Sequence, residues 1–172
     1  RCRRGSLWYN AEKDMTVQTQ ETGKAVSSVI AQSWHRCSKF MQRETWQTPH
    51  QAQGLTFDSI CRRKTALLTI GQAALEDAWE FMDGRPCALF ILDESACILS
   101  RCGEPQTLAQ LAALGFRDGS YCAESIIGTC ALSLAAMQGQ PINTAGDRHF
   151  KQALQPWSFC STPVFDNHGR LF

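Results

Sequence analysis

The chain has 172 residues, of which 44% are hydrophobic and 19% charged, and a formal net charge of +1 from 17 Lys and Arg against 16 Asp and Glu. That is ordinary globular composition at the length of one domain, with no general field for nucleic acid or membrane and no apolar run near the roughly 18 residues that span a bilayer. No basic segment leads into an apolar one, so no secretory signal is read, and the chain reads as soluble and cytoplasmic.

The near-neutral total hides an asymmetry. Residues 1–64 carry 11 basic and 5 acidic side chains, and the remainder carries 6 basic and 11 acidic. Residues 1–24 are polar and without periodicity, as expected of a disordered tail. The first Met is Met15, which suggests that residues 1–14 are not native. Residues 25–55 hold a helix and a loop. From Val26 to Met41 the apolar positions Val26, Val29, Ile30, Trp34, Cys37, Phe40 and Met41 fall at helical spacing on one stripe. Pro49 and Gly54 mark the loop. Thr56 can cap a second helix that carries Phe57, Ile60, Leu67, Leu68, Leu75, Trp79 and Met82 and stops at Asp83-Gly84-Arg85-Pro86. The run Arg62-Arg63-Lys64 within it reads as a solvated face, with phosphate contact as the alternative.

Cys87–Leu92 is almost wholly apolar, as a buried strand would be, and Asp93-Glu94-Ser95 turns it into a partner at Ala96–Ser100. A short helix is expected over Thr107–Leu114, ending at Gly115, and a longer one over Ala123–Gln138, ending at Gly139. Pro141–Thr144 reads as a short strand and Asp147–Leu154 as a short helix. Phe159–Phe165 is a further strand, and Asp166-Asn167-His168-Gly169 is the turn of a hairpin with Arg170, Leu171 and Phe172 beginning its return. Helices, a hairpin, helices and a second hairpin describe an α+β domain on an antiparallel sheet. The expectation is one sheet, truncated before its final strand or strands, with the absent strand beside Cys87–Leu92. Unpaired edges of that kind would leave the isolated chain prone to aggregation.

Nine cysteines invite a disulfide framework, but the number is odd and there is no C-x-x-C. Most sit among apolar neighbours, so they read as buried free thiols, and no ligand spacing for structural zinc is present.

Ser33-Trp34-His35-Arg36-Cys37, Ile127-Gly128-Thr129-Cys130-Ala131, Gln140-Pro141, His149-Phe150, Phe159–Asp166 and Gly169-Arg170-Leu171, in that order, resemble GAF domains. The likeness is to those at the N-terminus of sigma-54-type bacterial activators of the acetoin-catabolism class. Arg43-Glu44-Thr45-Trp46, Pro49–Gly54 and Leu75–Glu80 are similar to the branch that governs glycerol and dihydroxyacetone operons. The resemblance spans about Val26 to Phe172, with residues 56–172 as the GAF-like domain. It implies a signal-receiving module of a transcriptional activator, regulated by dihydroxyacetone kinase subunits, and association as a homodimer through the flanking helices. DNA and RNA polymerase would be reached only through domains absent from this chain. The alternative is a metabolite-sensing GAF domain of a related activator. One departure stands out: the class usually has Asn after Gly-Thr, where this chain has Cys130, which cannot supply an amide's paired donor and acceptor.

Six residues are singled out as cavity or partner contacts. Gly128 and Thr129, with Cys130, lie where a backbone N–H could bind a small anion or where Gly simply allows a helix to pack closely. Glu124 sits near a helix start, where its charge suits the dipole in a cap-like role. Trp46 and Trp157 lie in loops, as exposed partner anchors or as rings tucked beneath a loop. No catalytic residue, metal ligand or cofactor is assigned. Cys160 with His149 is the one nucleophile–base pairing worth naming, and spacing does not place the two together.

Overall fold

The computed structural model describes residues 28–82 and 84–171. The expectations for the tail and for Val26 lie outside the described residues. The first described helix, α1, covers residues 28–37 and gives way to a turn at 38–40. Val29, Ile30 and Cys37 of its apolar stripe are buried, but Phe40, beyond the helix, is 60% exposed. The stripe is thus spent on the domain's own core.

The expected second helix is two: α2, Gly54–Arg63, and α3, Thr65–Glu80. Thr56 lies inside α2 and caps nothing, since the N-cap is Gln53. Lys64 breaks the run with φ −106° and ψ 22°. There its ammonium pairs with Glu94 at 2.6 Å, and the Thr65 hydroxyl donates to the Arg62 carbonyl at 2.8 Å. The turn is slight, for Lys64 N still donates to the Ile60 carbonyl and Leu68 N to the Lys64 carbonyl.

Strands β1, Ala88–Leu92, and β2, Ile98–Gly103, form an antiparallel hairpin whose register shifts between Ile91 and Leu92. The Asp93 carboxylate accepts from the Ser95 and Cys97 amides, both at 2.9 Å, and so holds the turn. Helix α3 lies against β1 closely enough that a Cβ on Gly71 would stand 2.8 Å from Ile91 Cδ1. Leu67, Ile91, Cys97 and Leu99 are the buried centre of this layer. Helix α4, Pro105–Ala113, is capped by the Glu104 side chain and is followed by Gly115.

The expected long helix over Ala123–Gln138 is also two, α5, Glu124–Ile127, and α6, Ala131–Gln138, the latter closed by Gly139 in the left-handed conformation. Strands β3, Ile142–Ala145, and β4, Ser158–Ser161, pair antiparallel. Between them stand two single 3-10 turns, Gly146–Arg148 and Gln152–Leu154, in place of the expected helix over Asp147–Leu154. Beyond β4, Phe165 bridges Leu171 across the expected 166–169 turn. A second core, with Ile98, Phe116, Ile127, Leu134, Ile142 and Leu154 at its centre, joins α1, α6 and both hairpins.

The architecture is α+β, but the described strands form two two-stranded sheets rather than one. The outer side of β2 is covered at its start, where Ile98 N donates to Ser120 O at 2.9 Å and Gly119 N to Ile98 O at 2.7 Å. Between β1 and β4 runs a groove of about 640 Å³, with Ala88, Phe90, Leu132, Phe159 and Val164 in its lining. Among the described residues no helix is long and apolar enough to cross a membrane.

Candidate functional site

Ser33, Glu124 and Thr129, three of the buried polar residues, converge where α1 meets the junction of α5 and α6. Ser33, Arg36 and Cys37 stand at i, i+3 and i+4, so one face of α1 presents all three to that junction. The Ser33 hydroxyl reaches both the Glu124 carboxylate and, at 2.7 Å, the Thr129 hydroxyl. Arg36 grips the same carboxylate from the other side: Nε donates to Oε2 at 3.0 Å and Nη2 to Oε1 at 2.8 Å. Paired forks of this kind are the stronger class of hydrogen-bonded ion pair. They hold the guanidinium further above its ordinary value, against an opposing effect of burial. Cys37 Sγ lies 3.8 Å from Thr129 Oγ1, and burial pushes its thiol up.

Glu124 opens α5 but does not cap it; the N-cap is Ala123, and no side chain bonds to the free amides there. Its carboxylate is drawn away because a buried charge is stabilised more by a guanidinium than by a helix end. Gly128 adopts φ 74° and ψ −159°, a region open essentially to glycine alone, and a Cβ there would meet Phe150 Cβ at 3.3 Å. It breaks the helix and lets the chain pass under Phe150, so close packing is its role. Cys130 is the N-cap residue of α6 and wholly buried, its thiol pushed up to about 12 by burial. The cap bond comes from elsewhere: Thr144 Oγ1 accepts from Ala131 N at 2.9 Å.

A second set of contacts seals the same junction. The Trp34 ring meets Phe150 edge-on at 5.3 Å between centroids, donates from Nε1 to the Arg148 carbonyl at 3.0 Å and lies 4.5 Å beneath the Arg43 guanidinium. Lys151, 4% exposed, donates to the Gln42 and Thr45 carbonyls at 2.7 and 2.8 Å. Its burial draws its pKa below the usual lysine range. His149 is fully buried, with Nδ1 3.3 Å from the Thr129 carbonyl and Nε2 3.2 Å from that of Trp157. Burial lowers its pKa, outweighing the two carbonyls, which favour the protonated ring. Its nitrogens are thus occupied, while Cys160 is exposed on β4; the two do not form a nucleophile and base.

Of the six residues expected at the site, Glu124, Gly128, Thr129 and Cys130 come together; Trp157 reaches them only by its carbonyl, through His149, and Trp46 bonds elsewhere. Trp46 is half-buried, donates to the Leu114 carbonyl at 3.2 Å and lies beside Phe116. Trp157 is also half-buried, against the second core. Ser33 and Arg36 are not among the six, although their spacing places them on one helical face with Cys37. No buried side-chain nitrogen or oxygen among the described residues lacks a partner, and none of these residues forms a cluster able to hold a metal. The junction satisfies itself.

Residues 66–172 match the family model described as GAF domain. The chain is 87% identical over 158 residues to the glycerol metabolism operon regulatory protein of Citrobacter freundii, covering 92% of this chain and 25% of that one. It is 69% identical over 149 residues to the PTS-dependent dihydroxyacetone kinase operon regulatory protein of Escherichia coli K12, covering 87% and 23%. The chain therefore spans about a quarter of the length of these relatives. Among solved structures, the Escherichia coli DhaR(N)–DhaL complex contains a chain similar to this one with a TM-score of 0.82 and 71% identity, over 83% of this chain and 49% of that one.

Proposed function

The chain belongs to the GAF domain family, and from that membership we propose that it is the N-terminal signal-receiving module of a bacterial transcriptional activator of glycerol and dihydroxyacetone utilisation, of the sigma-54 type. Its regulators are dihydroxyacetone kinase subunits, it acts as a homodimer, and its place is the cytoplasm. The observation that carries this reading is the likeness, at 71% identity, to the DhaR(N) chain solved with DhaL. Two further relatives are operon regulators by name, so the role is regulatory rather than enzymatic.

The geometry favours a protein partner over a metabolite. A metabolite site needs a few polar groups left to orient a small ligand. Here Glu124, Ser33, Arg36 and Thr129 are consumed by one another, and the groove between β1 and β4 is lined mainly by apolar side chains. Two strand edges face one another across that groove, which supports the reading of residues 56–172 as a GAF-like domain whose sheet takes a further strand there.

Titration calorimetry of the chain with each dihydroxyacetone kinase subunit, with and without nucleotide, tests the proposal. Saturable binding of one subunit is expected. Absence of heat with every subunit, for both this chain and a version extended to relative length, would overturn it.

A further inference from the structure

The buried amine of Lys151 bonds carbonyls rather than a carboxylate, and its effect is to clamp a loop. Its Nζ donates to the Gln42 and Thr45 carbonyls at 2.7 and 2.8 Å, and Gln152 N donates to the Arg43 carbonyl at 3.0 Å. Bonds from two adjacent residues thus hold the backbone of 42–45 on either side of Arg43. The Arg43 side chain is held as well. Its guanidinium lies 4.5 Å over the Trp34 ring, and Nε donates to the Phe150 carbonyl at 3.4 Å. A long side chain ordered in advance has little freedom left to lose on contact with a partner.

The cations around this shelf carry no counter-charge. Among the described residues the ion pairs are Arg36–Glu124, Lys64–Glu94, Arg101–Asp118 and Arg170–Asp166, so Lys39, Arg43 and Arg148 meet no carboxylate. Lys39 is exposed in the turn that leads from α1 toward Arg43, and Arg148 is exposed where its carbonyl accepts from the Trp34 indole. Glu44 and Asp147, their neighbours in sequence, are exposed and bridge none of the three. Phe40, 60% exposed, adds an apolar contact beside Lys39. Arginine and aromatic side chains on a fixed base have the composition of a protein-binding hot spot, and three open cations select acidic groups. Nucleic acid fits less well, since it wants open ring faces along a longer basic groove. Here the basic patch is three side chains, and the Trp34 ring is committed to Arg43 and Phe150. We propose that Arg43, with Lys39 and Arg148 about it, is a preformed docking surface for an acidic segment of a protein partner.

This rests on the protein-partner reading above and gives that partner's chemistry. The probe is a fluorescein-labelled acidic peptide, alternating Glu and Asp about one central Leu, titrated with the whole chain at about 50 mM salt so that screening is modest. Saturable fluorescence anisotropy is expected, weakening as salt is added. Arg43→Ala should weaken binding at least ~10-fold. Lys39→Glu with Arg148→Glu should do the same at an unchanged melting temperature, because neither side chain packs in the core. Arg62→Glu with Arg63→Glu, an equal change of charge on α2, should leave the affinity within ~2-fold. Equal weakening by the α2 variant would reduce the effect to general charge and overturn the surface. So would an unlabelled single-stranded oligonucleotide that binds the same residues more tightly than the peptide. Kinase subunits that bind by calorimetry while the peptide does not would keep the protein-partner reading and overturn this surface. Peptide binding lost in the Arg43 variant, with every subunit silent, would keep the surface and overturn the kinase assignment.

Discussion

Ser33 on α1 and Thr129 at the head of α6 share a hydrogen bond of 2.7 Å across 96 positions of sequence. The same Ser33 hydroxyl also reaches Glu124, and Arg36, one turn along, neutralises that carboxylate. Helix α1 is thereby fastened to the domain by buried polar bonds as well as by Val29, Ile30 and Cys37. Polar bonds of this kind demand one orientation, because a rotated helix would strand the carboxylate in the interior.

The fastening predicts strong coupling between Arg36 and Glu124. Arg36→Ala leaves the largely buried carboxylate without its cation, and Arg36 is itself partly exposed, so a loss of ~1–3 kcal/mol is expected, below the range for fully buried pairs. Glu124→Gln in that background should recover part of the loss. A double-mutant cycle in urea measures the coupling; additivity of the two changes would show that the pair holds nothing.

Gly128→Ala should destabilise by ~1–3 kcal/mol, because φ 74° with ψ −159° excludes a side chain and the added methyl meets Phe150. Gly139→Ala is the comparison: its φ of 62° is milder and a Cβ there meets only Phe165 Cζ, at 3.7 Å. Thermal melts of the two variants should rank Gly128→Ala as the worse. The reverse order would mean that the α5–α6 break yields easily.

His149 gives stability a pH dependence of definite sign. Burial lowers its folded pKa below 6.5, so between the two values the unfolded chain binds more protons and stability rises with pH. The His149 contribution is present above pH ~6.5 and declines as pH falls toward the folded value. Carboxylates held low, such as Glu94 and Asp166, act in a more acid range. The melting temperature should fall between pH ~6.5 and ~5, and His149→Gln should flatten that slope. A wild-type slope of zero there would contradict the assignment.

Thiol reactivity should divide the cysteines by burial. Cys160 is exposed, whereas Cys97, Cys122 and Cys130 are buried with thiols pushed up by desolvation, Cys97 and Cys130 to about 12. Only the thiolate reacts quickly. Alkylation of the native chain, read by peptide mass, should label Cys160 readily and these three only after denaturation. Fast labelling of Cys130 without denaturant would show that the α5–α6 junction opens readily.

Short-range chemistry makes much of this protein legible in its sequence alone. The apolar run ending in Leu92, the acidic turn at Asp93, the stop at Gly139 and the turn opened by Asp166 all depend on neighbours within a few residues. The Gly128-Thr129-Cys130 stretch likewise stands out as a place of consequence from its own residues. What sequence cannot supply is where distant groups compete for the same backbone. Periodicity runs unbroken through Gly128, yet the helix breaks there, where the chain packs closely on Phe150. Glu124 reads as a helix-start acid from its neighbours alone. Only the folded chain brings Arg36 within 2.8 Å of it, and a cation at that distance in a poorly solvated site outweighs the helix end. Local conformational preference is worth tenths of a kilocalorie per residue, whereas a stranded buried charge costs several kilocalories. The tertiary structure therefore decides wherever the two disagree.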